Sequence, residues 1–189
     1  DRTTGAVKTA QLPAGEEVTN SVSTDETGGM YVVSTHALYR LDADTGGAPE
    51  VTWRETYDRG TRLKTGNLSQ GSGTTPTLLG ERWVAINDNA DPKTNVLVYD
   101  RREGVSNRLH CTQPVLADNA GTTDNSLVAA GNSFIIENNY GYGGPTTTIL
   151  GKTSTPGLAR VMVDDDGCHV AWTNNEIAPS SVAKASLGN

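Results

Sequence analysis

Oxygen donors crowd two short stretches of the chain, Asn87-Asp88-Asn89-Ala90-Asp91-Pro92 and Glu137-Asn138-Asn139-Tyr140-Gly141-Tyr142-Gly143-Gly144. Carboxylates and amide oxygens are the hard ligands that Ca²⁺ prefers, and Asp88, Glu137 and Asn138 are the candidate metal ligands. A small polar ligand would meet the wider set of Asn87, Asp88, Asn89, Asp91, Glu137, Asn138 and Asn139, joined by Asn174, Asn175 and Glu176. Tyr140 and Tyr142 would add ring faces with a polar handle, suited to stacking on a sugar. The same residues have a plainer use: Asn and Asp cap strands through Asx-turns and tolerate left-handed backbone. Asp164-Asp165-Asp166-Gly167 lacks the ligand spacing and terminal Glu of an EF-hand, and reads as a solvated Asp-Gly turn. His36, His110 and His169 fall in different segments, so neither a metal trio nor a triad is indicated. No G-x-S-x-G elbow is present, no G-K-[ST] follows the tyrosine loop, and no residue is assigned a catalytic role.

The elements that must carry these residues are short strands. Among 189 residues, Gly 21 and Pro 8 supply frequent turns, and no window keeps a 3.6-residue apolar period. Three segments share one layout of four apolar runs separated by turns. The first contains Asn20 to Thr24, Tyr31-Val32-Val33, Ala37 to Gly46 and Val51-Thr52-Trp53. The second contains Thr77-Leu78-Leu79, Trp83 to Ile86, Val96 to Asp100 and Arg108 to Cys111. The third contains Leu127-Val128, Phe134 to Ile136, Ala159 to Val163 and His169 to Trp172. Tyr31, Trp83 and Phe134 recur at intervals of 52 and 51, close to the length of a propeller blade.

The run Leu38-Tyr39-Arg40-Leu41-Asp42-Ala43-Asp44-Thr45-Gly46, followed by Trp53, resembles the quinoprotein-type (PQQ-like) propeller repeat. That resemblance implies an all-β fold of four-stranded antiparallel blades. About three blades are expected, 19–57, 73–115 and 124–175, with residues 1–18 as the edge of a preceding blade and 176–189 opening a further one. The ring would be incomplete, so another chain or copy would supply the remaining blades. Asn87-Asp88-Asn89 then aligns on Glu137-Asn138-Asn139 at the axial face. Paraoxonase- and gluconolactonase-like propellers hold calcium with such a set, though the likeness is in kind and no motif is matched. Quinone dehydrogenases similar to this repeat stack pyrroloquinoline quinone on a disulfide between adjacent cysteines, so that cofactor is not expected here.

The formal net charge of −7 and the absence of a basic cluster argue against nucleic acid or an anionic membrane. No apolar run approaches the roughly 20 residues of a membrane span. The two cysteines, Cys111 and Cys168, fit either a disulfide in an extracellular or periplasmic protein or two free thiols. The repeat alignment puts Cys111 late in its outer strand and Cys168 at the start of its own, which separates them. The leading expectation is a secreted binding module for a polar ligand or partner at the axial face. A calcium-dependent hydrolase or lactonase-like enzyme and a structural scaffold are the alternatives.

Overall fold

A computed structural model describes residues 2–147 and 154–178. These residues form twelve strands in three antiparallel sheets, each a four-stranded meander. Sheet 1 holds β1 (Ser23–Thr24), β2 (Met30–Val33), β3 (Ala37–Ala43) and β4 (Pro49–Thr56). Sheet 2 holds β5 (Thr77–Leu79), β6 (Trp83–Asn87), β7 (Thr94–Asp100) and β8 (Leu109–Val115). Sheet 3 holds β9 (Val128–Ala130), β10 (Ser133–Glu137), β11 (Leu158–Asp164) and β12 (Gly167–Asn174). One 3₁₀ turn, Pro145–Thr147, interrupts the second-to-third strand connection of sheet 3. Among the described residues no helix is long and apolar enough to cross a membrane.

The sheets lie face to face in a row. Period-2 alternation sends Tyr31, Val33 and Leu38 of sheet 1 against Val84, Ile86, Leu97 and Tyr99 of sheet 2. Trp83, Ala85, Val96 and Val98 on the other face of sheet 2 pack on Phe134, Ile136, Ala159 and Val161 of sheet 3. All five residues of β6 are therefore buried, whereas the outer strands β4 and β12 are largely exposed. The far face of sheet 1 (Val32, Ala37, Tyr39, Leu41) is covered by the N-terminal stretch through Leu12. Residues 2–18 contain no strand.

Hydrogen bonding exposes a repeat closer than the aromatic spacing suggests. Just past each second strand, Ser34, Asp88 and Asn138 donate N–H to Ala37, Asn95 and Gly157. The next residues, Thr35, Asn89 and Asn139, donate to Glu17, Asp58 and Thr122 in the incoming connection. Each sheet also has a bulge at one place, after Arg40, Val98 and Arg160, whose cross-strand partners are Trp53, Cys111 and Trp172. The alignment of Asn87-Asp88-Asn89 on Glu137-Asn138-Asn139 follows this register. The aromatic alignment does not: Tyr31 matches Ala85, and Phe134 matches Val84 on the opposite face.

Cys111 and Cys168 are joined, with Cα atoms 5.9 Å apart. The expected separation fails because the β7–β8 turn is long, so β8 starts at Leu109 and Cys111 is early in it. Cys168 is equally early in β12, and the disulfide ties the outer strands of sheets 2 and 3. The expected opening of a further repeat at 176–189 lies, from residue 179 onward, outside the described residues.

Candidate functional site

The second-strand exits of all three sheets meet a single stretch of chain. The connection from sheet 1 to sheet 2 takes 20 residues, 57–76, and makes a detour before entering β5. Gly60 lies against the main chain of Asn89, Gly66 against that of Asn139, and Gly71 against Thr35. Thr65 accepts the Gly141 amide, and Asn67 Oδ1 accepts the Thr122 hydroxyl at 2.5 Å. Segment 57–73 thus covers the ground on which a ligand was expected.

The polar cluster beneath is sealed. Asn87, Asp88, Asn89, Glu137, Asn138 and Asn139 are all buried. Asn87 Nδ2 donates to Asp88 O and to Thr94 Oγ1, and Asn89 Nδ2 to the carbonyls of Arg59 and Arg62. Asp88 accepts the Ala90 and Asn95 amides on Oδ1 and the Asn95 side chain on Oδ2. Glu137 accepts from Asn125 Nδ2. Asn138 accepts the Thr122 and Tyr140 amides and donates to Ala120 O. Asn139 Oδ1 accepts from Thr123 and Asp124. The three residues expected to hold a cation, Asp88, Glu137 and Asn138, each bind a different stretch of chain instead of turning oxygens on one point. Among the described residues no group of three or more His, Cys, Asp or Glu side chains is arranged to hold a metal ion. A cation does sit here, and the chain supplies it. Lys64, with a side chain only 1 % exposed, donates to Ala90 O at 2.6 Å and pairs with Asp91 at 3.4 Å.

The remaining expected residues are accessible but dispersed. Asp91 is exposed, Tyr140 and Tyr142 are half-buried beside the covering segment, and Asn174, Asn175 and Glu176 are exposed at the end of the outer strand β12. Asn174 and Asn175 line a shallow cleft with Leu116 and Pro156. Asp164 Oδ1 accepts the amides of Asp166 and Gly167, which is the Asx-turn expected of that run. His36 bonds Thr35 and Arg59 and stands alone. The other two histidines, expected apart, are brought together beside the disulfide: His110 Nε2 lies 2.8 Å from the Asp164 carbonyl and His169 Nδ1 3.8 Å from the Asp164 carboxylate.

Sequence reasoning missed Lys64 as a member of this cluster. Asp124 Oδ2 accepts the Leu68 amide at 2.7 Å and holds the covering segment at sheet 3. Burial raises its carboxyl from the ordinary 3.8 to about 6, against the lowering effect of that hydrogen bond. Burial likewise raises Asp88 and Glu137. A raised folded-state value means the native protein binds the proton more tightly than the unfolded chain. Asp124 therefore makes stability fall as pH rises from about 3.8 to about 6, and this loss is complete above that window. Asp124→Asn is expected to raise the thermal midpoint at pH 7 more than at pH 4, a difference that calorimetry at the two pH values reads.

No family model matches the chain. A stretch of 76 residues, 39 % of this chain, is 41 % identical to an uncharacterized protein of Archaeoglobus fulgidus. The matched stretch spans 15 % of that protein's length.

Proposed function

We propose that this chain is a sector of a β-propeller of the quinoprotein-type repeat and works as an extracytoplasmic recognition module, its ring completed by sheets from another chain or copy. One observation carries the reading: the three sheets repeat one plan of register, bulge and incoming connection, and the face of sheet 3 turned away from sheet 2 keeps apolar side chains only partly covered. Trp53 in sheet 1 packs with residues of sheet 2, and Cys111 in sheet 2 is bonded to sheet 3. Trp172, the same position in sheet 3, is 40 % exposed. Ile135, Leu158 and Met162 lie on that face with it and are only half-buried. A further sheet stacked there would bury them as its predecessors bury theirs.

Recognition is supported by the division of loops. The third-to-fourth hairpins are mostly short Asp-Gly turns, whereas the long connection 57–76 and the stretch 138–147 run on the opposite side. Long loops on a rigid scaffold are the usual seat of binding. Tyr140, Tyr142 and Asp91 are accessible on that surface beside the exposed Leu63 and Leu68, and the buried amides are its frame. The disulfide favours an oxidising compartment.

Light scattering tests the reading. An assembly heavier than the 19.9 kDa chain is expected, and Trp172→Asp should return it to that mass. A monodisperse 19.9 kDa species for the unsubstituted protein contradicts it.

A further inference from the structure

A second cleft is on the other side of the molecule, among the hairpins. It measures about 650 Å³ and opens between the β3–β4 region of sheet 1 and the β7–β8 turn of sheet 2. That size suits a small organic molecule. Four arginines line it, Arg40, Arg101, Arg102 and Arg108, together with Trp53.

Three of these arginines have carboxylate partners. Arg40 pairs with Asp25 and Asp42, Arg101 with Asp25 and Glu26, and Arg102 with Asp100. Arg108 has none among the described residues. Its Nη1 donates to the main-chain oxygens of Asp100 and Arg102 at 3.0 Å, and its guanidinium lies 4.9 Å from the centre of the Trp53 ring. Nε and Nη2 meet no acceptor among the described residues. Desolvation lowers the Arg108 pKa from its usual value, outweighing the raising fields of Glu55 and Asp100. Two further donors of the lining are also unsatisfied: Arg101 Nε, on a residue only 4 % exposed, and Trp53 Nε1.

We infer that this cleft is a binding site for a small monocarboxylate bearing hydroxyl or ammonium groups. The free edge of the Arg108 guanidinium presents two N–H donors in the fork that matches a carboxylate, and Trp53 holds the plane of that fork. The rest of the ligand cannot be strongly anionic. Four acidic residues share the lining with the four arginines, so a second negative charge would be repelled, whereas hydroxyls or an ammonium would find acceptors.

The test is titration of the intact protein with sodium glucuronate and with serine, at constant ionic strength, followed by calorimetry and tryptophan fluorescence. Glucose and inorganic phosphate serve as comparators. Saturable binding of glucuronate or serine is expected, with glucose and phosphate at least about tenfold weaker, the worth of one charge-assisted fork. R108Q should weaken the carboxylate by a similar factor at a temperature where the variant stays folded. R108K keeps the charge without the fork and should weaken it as well, and it carries the test should R108Q fail to fold. The inference is overturned if neither carboxylate binds saturably, if either comparator binds equally well, or if the folded Arg108 variants bind like the unsubstituted protein.

Discussion

Replacing Cys111 and Cys168 by serine is expected to lower the thermal midpoint by about 10 °C. The bond closes a loop spanning 57 residues. Restricting the unfolded chain to that extent is worth about 4 kcal/mol in the chain-entropy model. For a chain of this size each kcal/mol moves the midpoint by about 2–4 °C. The placement of the bond adds a structural consequence. It is the covalent link between sheets 2 and 3, and both its ends lie in outer strands, where exposed side chains leave little apolar contact to hold the sheets together. Sheet 3 should loosen first, carrying Trp172 and the face offered to a further sheet with it. Calorimetry of the double variant, or of the native protein with and without reductant, provides the check. A midpoint within about 2 °C of the native value would show that apolar packing alone fastens sheet 3.

Gly66→Ala is expected to cost about 3 kcal/mol or more, a large loss for a single methyl group. Two effects add. Gly66 has φ +113°, where residues with a side chain are strained, and a Cβ would run into the Asn139 carbonyl. Gly60→Ala should behave alike, since its Cβ would meet Asn89 O. Gly104→Ala is the control: φ is also positive there, at +74°, but nothing lies within 4 Å, so only the backbone cost of about 1 kcal/mol applies. Urea unfolding measures the three variants. Hydrogen exchange at the Asn139 amide, which donates to Thr122 O, reports whether the covering segment has lifted. Equal costs at Gly66 and Gly104 would mean that segment 57–73 does not seat tightly on the strand exits.

Much of the strand pattern was legible beforehand, for a local reason. Trp83 to Ile86 and Val96 to Asp100 read as strands because β-branched and aromatic residues bounded by turn formers suit little else. Asn87-Asp88-Asn89 could be matched to Glu137-Asn138-Asn139 because both directly follow a second strand. The aromatic alignment misled because a large ring can fill a core from either face, and spacing does not say which. Tyr31 and Phe134 prove to lie on opposite faces of their sheets. The meeting of the cysteines is not legible, because the length of the β7–β8 turn, which sets where β8 begins, leaves no mark in the apolar pattern.

The candidate site was half legible. That oxygen-rich residues would gather where second strands end is a matter of strand order, and it came out. Whether they meet solvent was not written in those residues at all. It depends on a different stretch, 57–73, whose glycines let its backbone press against Asn89 and Asn139 and whose Lys64 brings its own charge. The amino-acid sequence alone determined the all-β class, the four-strand units and most of the turns between them, since these follow from alternation and backbone preference within a few residues. Only the tertiary structure decided what fills the space over the strand exits, which cysteines meet and where, among the described residues, an arginine lacks a carboxylate partner. Those outcomes depend on surfaces brought together from distant parts of the chain, and short-range pattern carries no measure of that distance.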